Sequence, residues 1–168
     1  MQLTTQAFQT KGKIPMRFSG EGVDLSPELR WSDSPPGTRE YALVVEDPDA
    51  PKMPGKDHPF VHWVAYNIPE NVSFLPEGLA RTDRLFVPVS IDQGKNSFGK
   101  TGYNGPLPPA GDGVHHYIFT LYALDQEIGL APGFGKAELM EAIDGHVIAA
   151  AEIIGTYERP YQEQVLAP

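Results

Sequence analysis

Tyr41-Ala42-Leu43-Val44-Val45-Glu46-Asp47-Pro48-Asp49-Ala50-Pro51 is the stretch that decides the fold class. Up to Glu46 the run is apolar at both odd and even positions, so a strand here is covered on both faces and lies inside a sheet. It ends in two carboxylates set among prolines. Each proline fixes φ and removes a backbone donor, which places Asp47 and Asp49 on a stiff turn whose free groups face whatever binds. Taken alone, the same residues also read as a plain surface turn.

Working outward, Phe60-Val61-His62-Trp63-Val64-Ala65-Tyr66-Asn67-Ile68 is a second run of this kind, closed by Pro69. Period two puts Phe60, His62, Val64, Tyr66 and Ile68 on one face, with His62 the odd polar group among them. Tyr117 to Leu124 is a third strong strand. The same period places His115, Tyr117, Phe119 and Leu121 on one face and His116, Ile118 and Thr120 on the other, so His115 and Tyr117 can act together while His116 cannot. Leu29-Arg30-Trp31 and Arg84 to Pro88 read as shorter strands, and Ile14 to Phe18, interrupted by Pro15, as an edge strand at best. The spacing of Leu139, Met140, Ile143, Val147, Ala151 and Ile154 predicts one main helix over Lys136 to Ile154. Gly155 then ends it in a left-handed conformation, and Thr156 to Arg159 forms a short strand stopped by Pro160.

A chain of 168 residues fits one domain over 1–168 and can bury about two-thirds of its unfolded surface. It has no cysteine and so no disulfide, which fits a reducing compartment. Met1 to Thr10 has neither a basic segment nor an apolar one of the kind that opens a signal peptide. No run approaches the ~18 apolar residues of a membrane span, so a cytoplasmic, soluble protein without a transmembrane segment is expected. Thirteen basic residues against 22 acidic ones give a formal charge of −9, which opposes attraction to nucleic acid or to an anionic membrane and leaves room only for a local cationic pocket. With 17 prolines, 17 glycines and many aromatics, the chain is expected to be built of many short elements joined by turns. The turn-rich segment from Gly94 to Gly113 is long for a connection in a compact domain, and such loops usually carry function.

Polar groups therefore gather at the ends of three strands: Asp47 and Asp49 after one, His62 within the next, His115 and Tyr117 entering a third. Histidine and tyrosine donors, together with loop N–H groups, can hold a small anion. Three other chemistries compete. Two aspartates and two histidines are enough ligands for a metal, but no helical HExxH or local ligand pair is present, and no metal is assigned. Hydrolysis needs a nucleophile, and Asn96-Ser97-Phe98-Gly99 falls short of the Gly-x-Ser-x-Gly elbow. The glycines before His115 carry no following lysine and open no helix, so neither nucleotide fingerprint applies. No catalytic residue and no cofactor is assigned. His58, His146, Trp31, Trp63, Arg81, Lys95 and Lys100 read as structural or solvated residues.

Asp47-Pro48-Asp49-Ala50-Pro51, His62-Trp63, Gly99-Lys100-Thr101-Gly102-Tyr103-Asn104-Gly105-Pro106, Pro108-Pro109 and His115-His116-Tyr117 occur here in an order that resembles the phosphatidylethanolamine-binding proteins. This family includes the Raf kinase inhibitor proteins, and the similarity is greatest to its bacterial and archaeal branch. It runs from about Gly20 to Arg159 and takes in Glu141 to Val147 and Gly155 to Arg159. The resemblance implies a mainly β fold of two packed antiparallel sheets, with one main C-terminal helix, minor helices and an anion pocket at one end. It implies Asp47, Asp49 and Pro51 in the acidic loop of that pocket, His62 on the neighbouring strand, and Pro108, His115 and Tyr117 in and after a second loop. The two aspartates would orient His62 and His115 by accepting their other N–H. The chain stops soon after Tyr157, so the C-terminal helix that flanks the pocket in animal members has no counterpart to name. Gly135 stands where a serine or threonine would cap the helix.

From the resemblance the expected function is non-enzymatic: binding of phosphate or a phosphorylated headgroup, with a regulatory or inhibitory role toward a protein partner. The alternatives are a kinase or protease inhibitor acting through an exposed loop, and an undetected hydrolase. The bacterial relatives add a homodimer as an expectation.

Overall fold

The computed structural model describes residues 1–161, so the remainder of the expected 1–168 domain lies outside the described residues. The strands are β1 (Gln2–Thr4), β2 (Leu29–Ser32), β3 (Glu40–Asp47), β4 (Phe60–Pro69), β5 (Phe74–Leu75), β6 (Arg84–Leu85), β7 (Ile91–Gln93), β8 (His115–Leu124) and β9 (Val147–Tyr157). They form two antiparallel sheets, one in the order β1-β2-β5 and the other in the order β6-β7-β4-β3-β8-β9. Among the described residues α1 (Lys136–Ile143) is the single α-helix. A mainly β fold of two packed sheets is what the sequence led us to expect.

The doubly apolar run Tyr41 to Val45 is buried along its whole length at the centre of the large sheet. One of its faces packs Tyr41, Leu43 and Val45 against Leu3, Leu29, Trp31 and Leu75 of the small sheet. The other packs Ala42 and Val44 with Leu139 and Ile143 of α1. A strand with an apolar layer on each side has no solvated face, which is why its sequence does not alternate.

Several local expectations are corrected. The helix stops at Ile143, and Val147 to Tyr157 is strand β9, paired antiparallel with β8 from His115↔Tyr157 to Leu124↔Val147. Asp144 and Gly145, the latter with φ of 78°, turn the chain. The β-branched Val147, Ile148, Ile153 and Ile154 then favour extended backbone. Gly155 accordingly lies inside β9 and caps no helix. It is there for clearance, because an added Cβ would meet Ile14 Cγ1 at 2.4 Å.

The Ile14 to Phe18 segment is not a strand. Met16–Phe18 is a 3-10 turn, in which the N–H of Phe18 donates to Pro15 O at 3.0 Å. At the predicted helix start, Gly135 offers no side chain, but its N–H donates to Glu138 Oε2 at 3.1 Å. Finally, strict alternation fails along β4, with a consequence for His62 that belongs to the site.

Candidate functional site

The order β4-β3-β8 places three strand ends side by side: Asp47 is the last residue of β3, Phe60 the first of β4 and His115 the first of β8. At that end of the sheet is a cavity of about 170 Å³. Its polar floor is Asp47, His62, His115 and Tyr117, Pro51 and Pro108 stand in its walls, and Met53, Phe60, Phe98 and Leu107 supply an apolar rim.

His115 is 1% exposed and Asp47 2% exposed. The Nδ1 of His115 lies 2.7 Å from Asp47 Oδ2, and its Nε2 lies 2.9 Å from Asp112 Oδ2. A carboxylate only accepts, so satisfying both contacts needs both ring nitrogens to carry protons, which is the imidazolium. Burial works against that charge, but hydrogen bonds to Asp47 and Asp112, and the negative charge of both, outweigh it and raise the pKa of His115 above the usual histidine value.

His62 is the opposite case. It is 3% exposed, and burial pushes its pKa down despite a hydrogen bond to backbone and the nearby charge of Asp47. Its Nδ1 donates to Asn104 O at 2.6 Å, while the Asn104 N–H donates to His62 O at 3.0 Å. With Nδ1 the donor, neutral His62 offers an Nε2 lone pair. The ring is packed among Phe60, Phe98 and Tyr117, with centroids 5.3, 5.5 and 5.1 Å away.

Its aim comes from a β-bulge. Val45 pairs with Trp63 but Glu46 with Val61, so His62 is the extra residue of β4. A bulge of this kind re-aims side chains beside a site. Trp63 therefore packs in the core between the sheets while Val64 and Tyr66 belong to the layer under α1. His62 meets Tyr117 and does not share the Val64 and Tyr66 face that simple alternation assigned to it.

Tyr117 enters the cavity from the same side of β8 as His115, as the alternation predicted. Its hydroxyl is buried and meets no partner at full hydrogen-bond geometry among the described residues, with the Asp47 carboxylate the nearest group acting on it. Burial first, and then the negative charge of Asp47, raise its pKa far above the usual tyrosine value, so it stays a neutral donor and acceptor.

Asp49 does not reach the two pocket histidines. Its N–H donates to Asp47 Oδ1 at 2.8 Å, an Asx turn that carries the Asp49 side chain outward. There its Oδ2 accepts from the backbone N–H of His116 at 2.8 Å and contacts His116 Nδ1 at 2.7 Å. Burial opposes its ionisation, yet these bonds hold its carboxyl below the usual range. Asp49 thus ties the acidic turn to the start of β8. Of the two aspartates, Asp47 orients His115, and the partner of His62 is the Asn104 carbonyl.

Asp112 and Asn104 were not singled out by sequence reasoning. The only signal for Asp112 was a carboxylate between two glycines, three residues before His115. Among the described residues no three His, Asp or Glu side chains are grouped to hold a metal ion, and no helix is long and apolar enough to cross a membrane.

Comparison with known proteins is consistent across sequence and structure. A family profile described as Phosphatidylethanolamine-binding protein matches residues 4–158. A UPF0098 protein of Pyrococcus horikoshii is 44% identical over 155 residues, covering 92% of this chain and 75% of that one. A UPF0098 protein of Methanothermobacter thermautotrophicus is 42% identical over 159 residues, covering 95% and 99%. Among solved structures, a phosphatidylethanolamine-binding protein homologue of Chlamydia trachomatis superposes with a TM-score of 0.83 at 42% identity, covering 94% of this chain and 97% of that one. E. coli YbcL, described as a new member of the mammalian family, does so with a TM-score of 0.83 at 37% identity and the same 94% and 97% coverage.

Proposed function

The chain belongs to the phosphatidylethanolamine-binding protein family, and from that premise we propose that its cavity is a non-catalytic binding site for phosphate or a phosphorylated headgroup. One observation carries the reading: a buried imidazolium held by Asp47 lies on the same cavity floor as a buried Tyr117 hydroxyl that has no partner. A buried unpaired hydroxyl costs about 1–3 kcal/mol, and a bound oxygen would remove that cost.

The three polar groups differ in a way that suits a partly protonated phosphate. The Tyr117 O–H and, once Asp112 gives way, the His115 Nε2–H donate to phosphoryl oxygens. The His62 Nε2 lone pair accepts from the remaining P–OH. The apolar rim of Met53, Phe60, Phe98 and Leu107 suits the organic part of a phosphomonoester. Among the described residues that line the cavity there is no serine or lysine to serve as a nucleophile, which favours binding over hydrolysis. In this proposal the cytoplasm remains the working compartment.

Calorimetric titration with inorganic phosphate and with phosphoethanolamine is the test. Wild type is expected to bind with a single site, and Tyr117→Phe to bind about tenfold more weakly for loss of one hydrogen bond to a charged group. Wild type with no heat of binding at millimolar ligand overturns the reading.

The regulatory part of the proposal, a kinase or protease partner met through an exposed loop, has support in Phe86 and Val87, which are 74% and 78% exposed just after β6. Two adjacent apolar side chains in water are the kind of anchor a protein partner covers. Replacing both by serine is expected to abolish capture of such a partner and leave phosphate binding unchanged. Equal capture by both proteins would remove this loop from consideration.

A further inference from the structure

We propose that the Asp112 carboxylate is a tethered competitor for the anion position on His115, so that an anion that takes the His115 Nε2–H must displace it. This rests on the anion-site reading above and adds the regulation of that site.

The geometry is that of an occupied site. Asp112 stands beside the cavity and not in its lining, and its Oδ2 lies 2.9 Å from the His115 nitrogen that Asp47 leaves free, the one ring N–H with which His115 could hold an anion. With Asp47 on one side and Asp112 on the other, a single positive charge already faces two negative ones. A third carboxylate or phosphate cannot join them without replacing the more exposed of the two. That one is Asp112, whose side chain is 43% exposed while that of Asp47 is 3% exposed.

Displacement needs only a side-chain rotation. The backbone around Asp112 is fastened independently of its carboxylate. Asp112 N–H donates to Pro109 O at 3.2 Å and Gly111 N–H to Arg159 O at 2.8 Å. The Arg159 guanidinium donates in turn to Pro108 O at 3.0 Å. Gly111 and Gly113, with φ of 80° and 83°, fold the turn so that its middle residue lies over the ring three positions ahead. The loop therefore holds the carboxylate at high effective concentration without needing to move when it leaves.

A competitor lowers the affinity of every occupant by the same factor. Anions that make few other contacts then fall below detection. Phosphate, with further oxygens for Tyr117 and a proton for His62, remains measurable.

The experiment compares wild type, Asp112→Ala and the remote carboxylate variant Asp125→Ala in titrations with inorganic phosphate and with acetate. It is run well below the ordinary histidine pKa of 6.5, with the protonation of His115 read by NMR in each protein. Asp112→Ala is expected to bind phosphate about tenfold more tightly and to bring acetate binding into the measurable range, and Asp125→Ala to match wild type. In ligand-free protein, the His115 pKa read by NMR should fall in Asp112→Ala, which verifies the contact in solution. Equal phosphate affinity in wild type and Asp112→Ala overturns the competitor and leaves the anion site standing. Weaker binding by Asp112→Ala also overturns it, since Asp112 would then help to hold the ligand. Failure of both proteins to bind any anion overturns the site and the competitor together.

Discussion

The Nδ1 of His115 lies 2.7 Å from Asp47 Oδ2, with the two side chains 2% and 3% exposed. One opens β8 and the other closes β3, and the antiparallel pairing of those strands brings them together. Removing Asp47 leaves the His115 charge in the interior with only the half-exposed Asp112 as counterion, which costs more than the buried pair itself contributes. Asp47→Ala should therefore lower unfolding free energy by about 3 kcal/mol. The same change releases the N–H of Asp49 from its Asx turn. Urea unfolding measures the loss, and a change below half a kcal/mol would contradict the pairing.

The sign of the pH dependence follows from the same pair. The folded-state pKa of His115 is raised above the ordinary 6.5, so the folded protein holds the proton more tightly than the unfolded chain does. Its contribution is complete below 6.5 and is lost as pH rises through the higher folded value. His62, whose folded pKa is depressed below the same 6.5, contributes above 6.5 and loses that contribution as pH falls. The destabilisation caused by His115→Gln should thus be largest in mild acid and shrink as pH rises. Thermal unfolding of variant and wild type between about pH 5 and 9 checks this, because that range spans histidine titration. A constant difference across it would refute the raised pKa.

Tyr117→Phe should not destabilise the fold. The hydroxyl it removes is buried and unpaired, so its loss is neutral or raises stability by about 1 kcal/mol. Chemical denaturation decides the matter, and a loss of stability would show that the hydroxyl has a partner within the protein.

Gly155→Ala should be damaging although Gly155 has ordinary strand backbone. A methyl there meets Ile14 Cγ1 at 2.4 Å, Ile14 Cδ1 at 2.7 Å and Phe8 Cε2 at 3.0 Å. Overpacking of this kind costs about 2 kcal/mol. Pairing the change with Ile14→Ala should restore a good part of the denaturant midpoint, and no rescue would mean that the clash is not the cause.

Strands β3 and β8 were legible because each carries its burial pattern in full: apolar on both faces in one, alternating in the other. The helix boundary was not. Leu139, Ile143, Val147 and Ala151 satisfy the helical period, and the same residues fit a short helix followed by a strand. The Asp144-Gly145 turn and the β-branched residues after it decide between the two. Strands as short as β1, β5 and β7 hold three residues or fewer, too few for a period to register. Within the site, His115 and Tyr117 were paired by alternation because β8 is regular there. His62 was placed on the wrong face because a bulge changes parity without leaving a mark in residue type. Asp49 and Asp112 exchange roles for a related reason: which of two nearby carboxylates reaches a ring depends on turn geometry, and composition does not carry that.

The proposal of an anion site is tested most directly by following the ring resonances of His115 and His62 while phosphate is added to the wild-type protein near pH 6. His115 should shift in a saturable way, with His62 moving along the same binding curve and the exposed His116 unaffected. If neither pocket histidine moves at millimolar phosphate, the cavity is not an anion site.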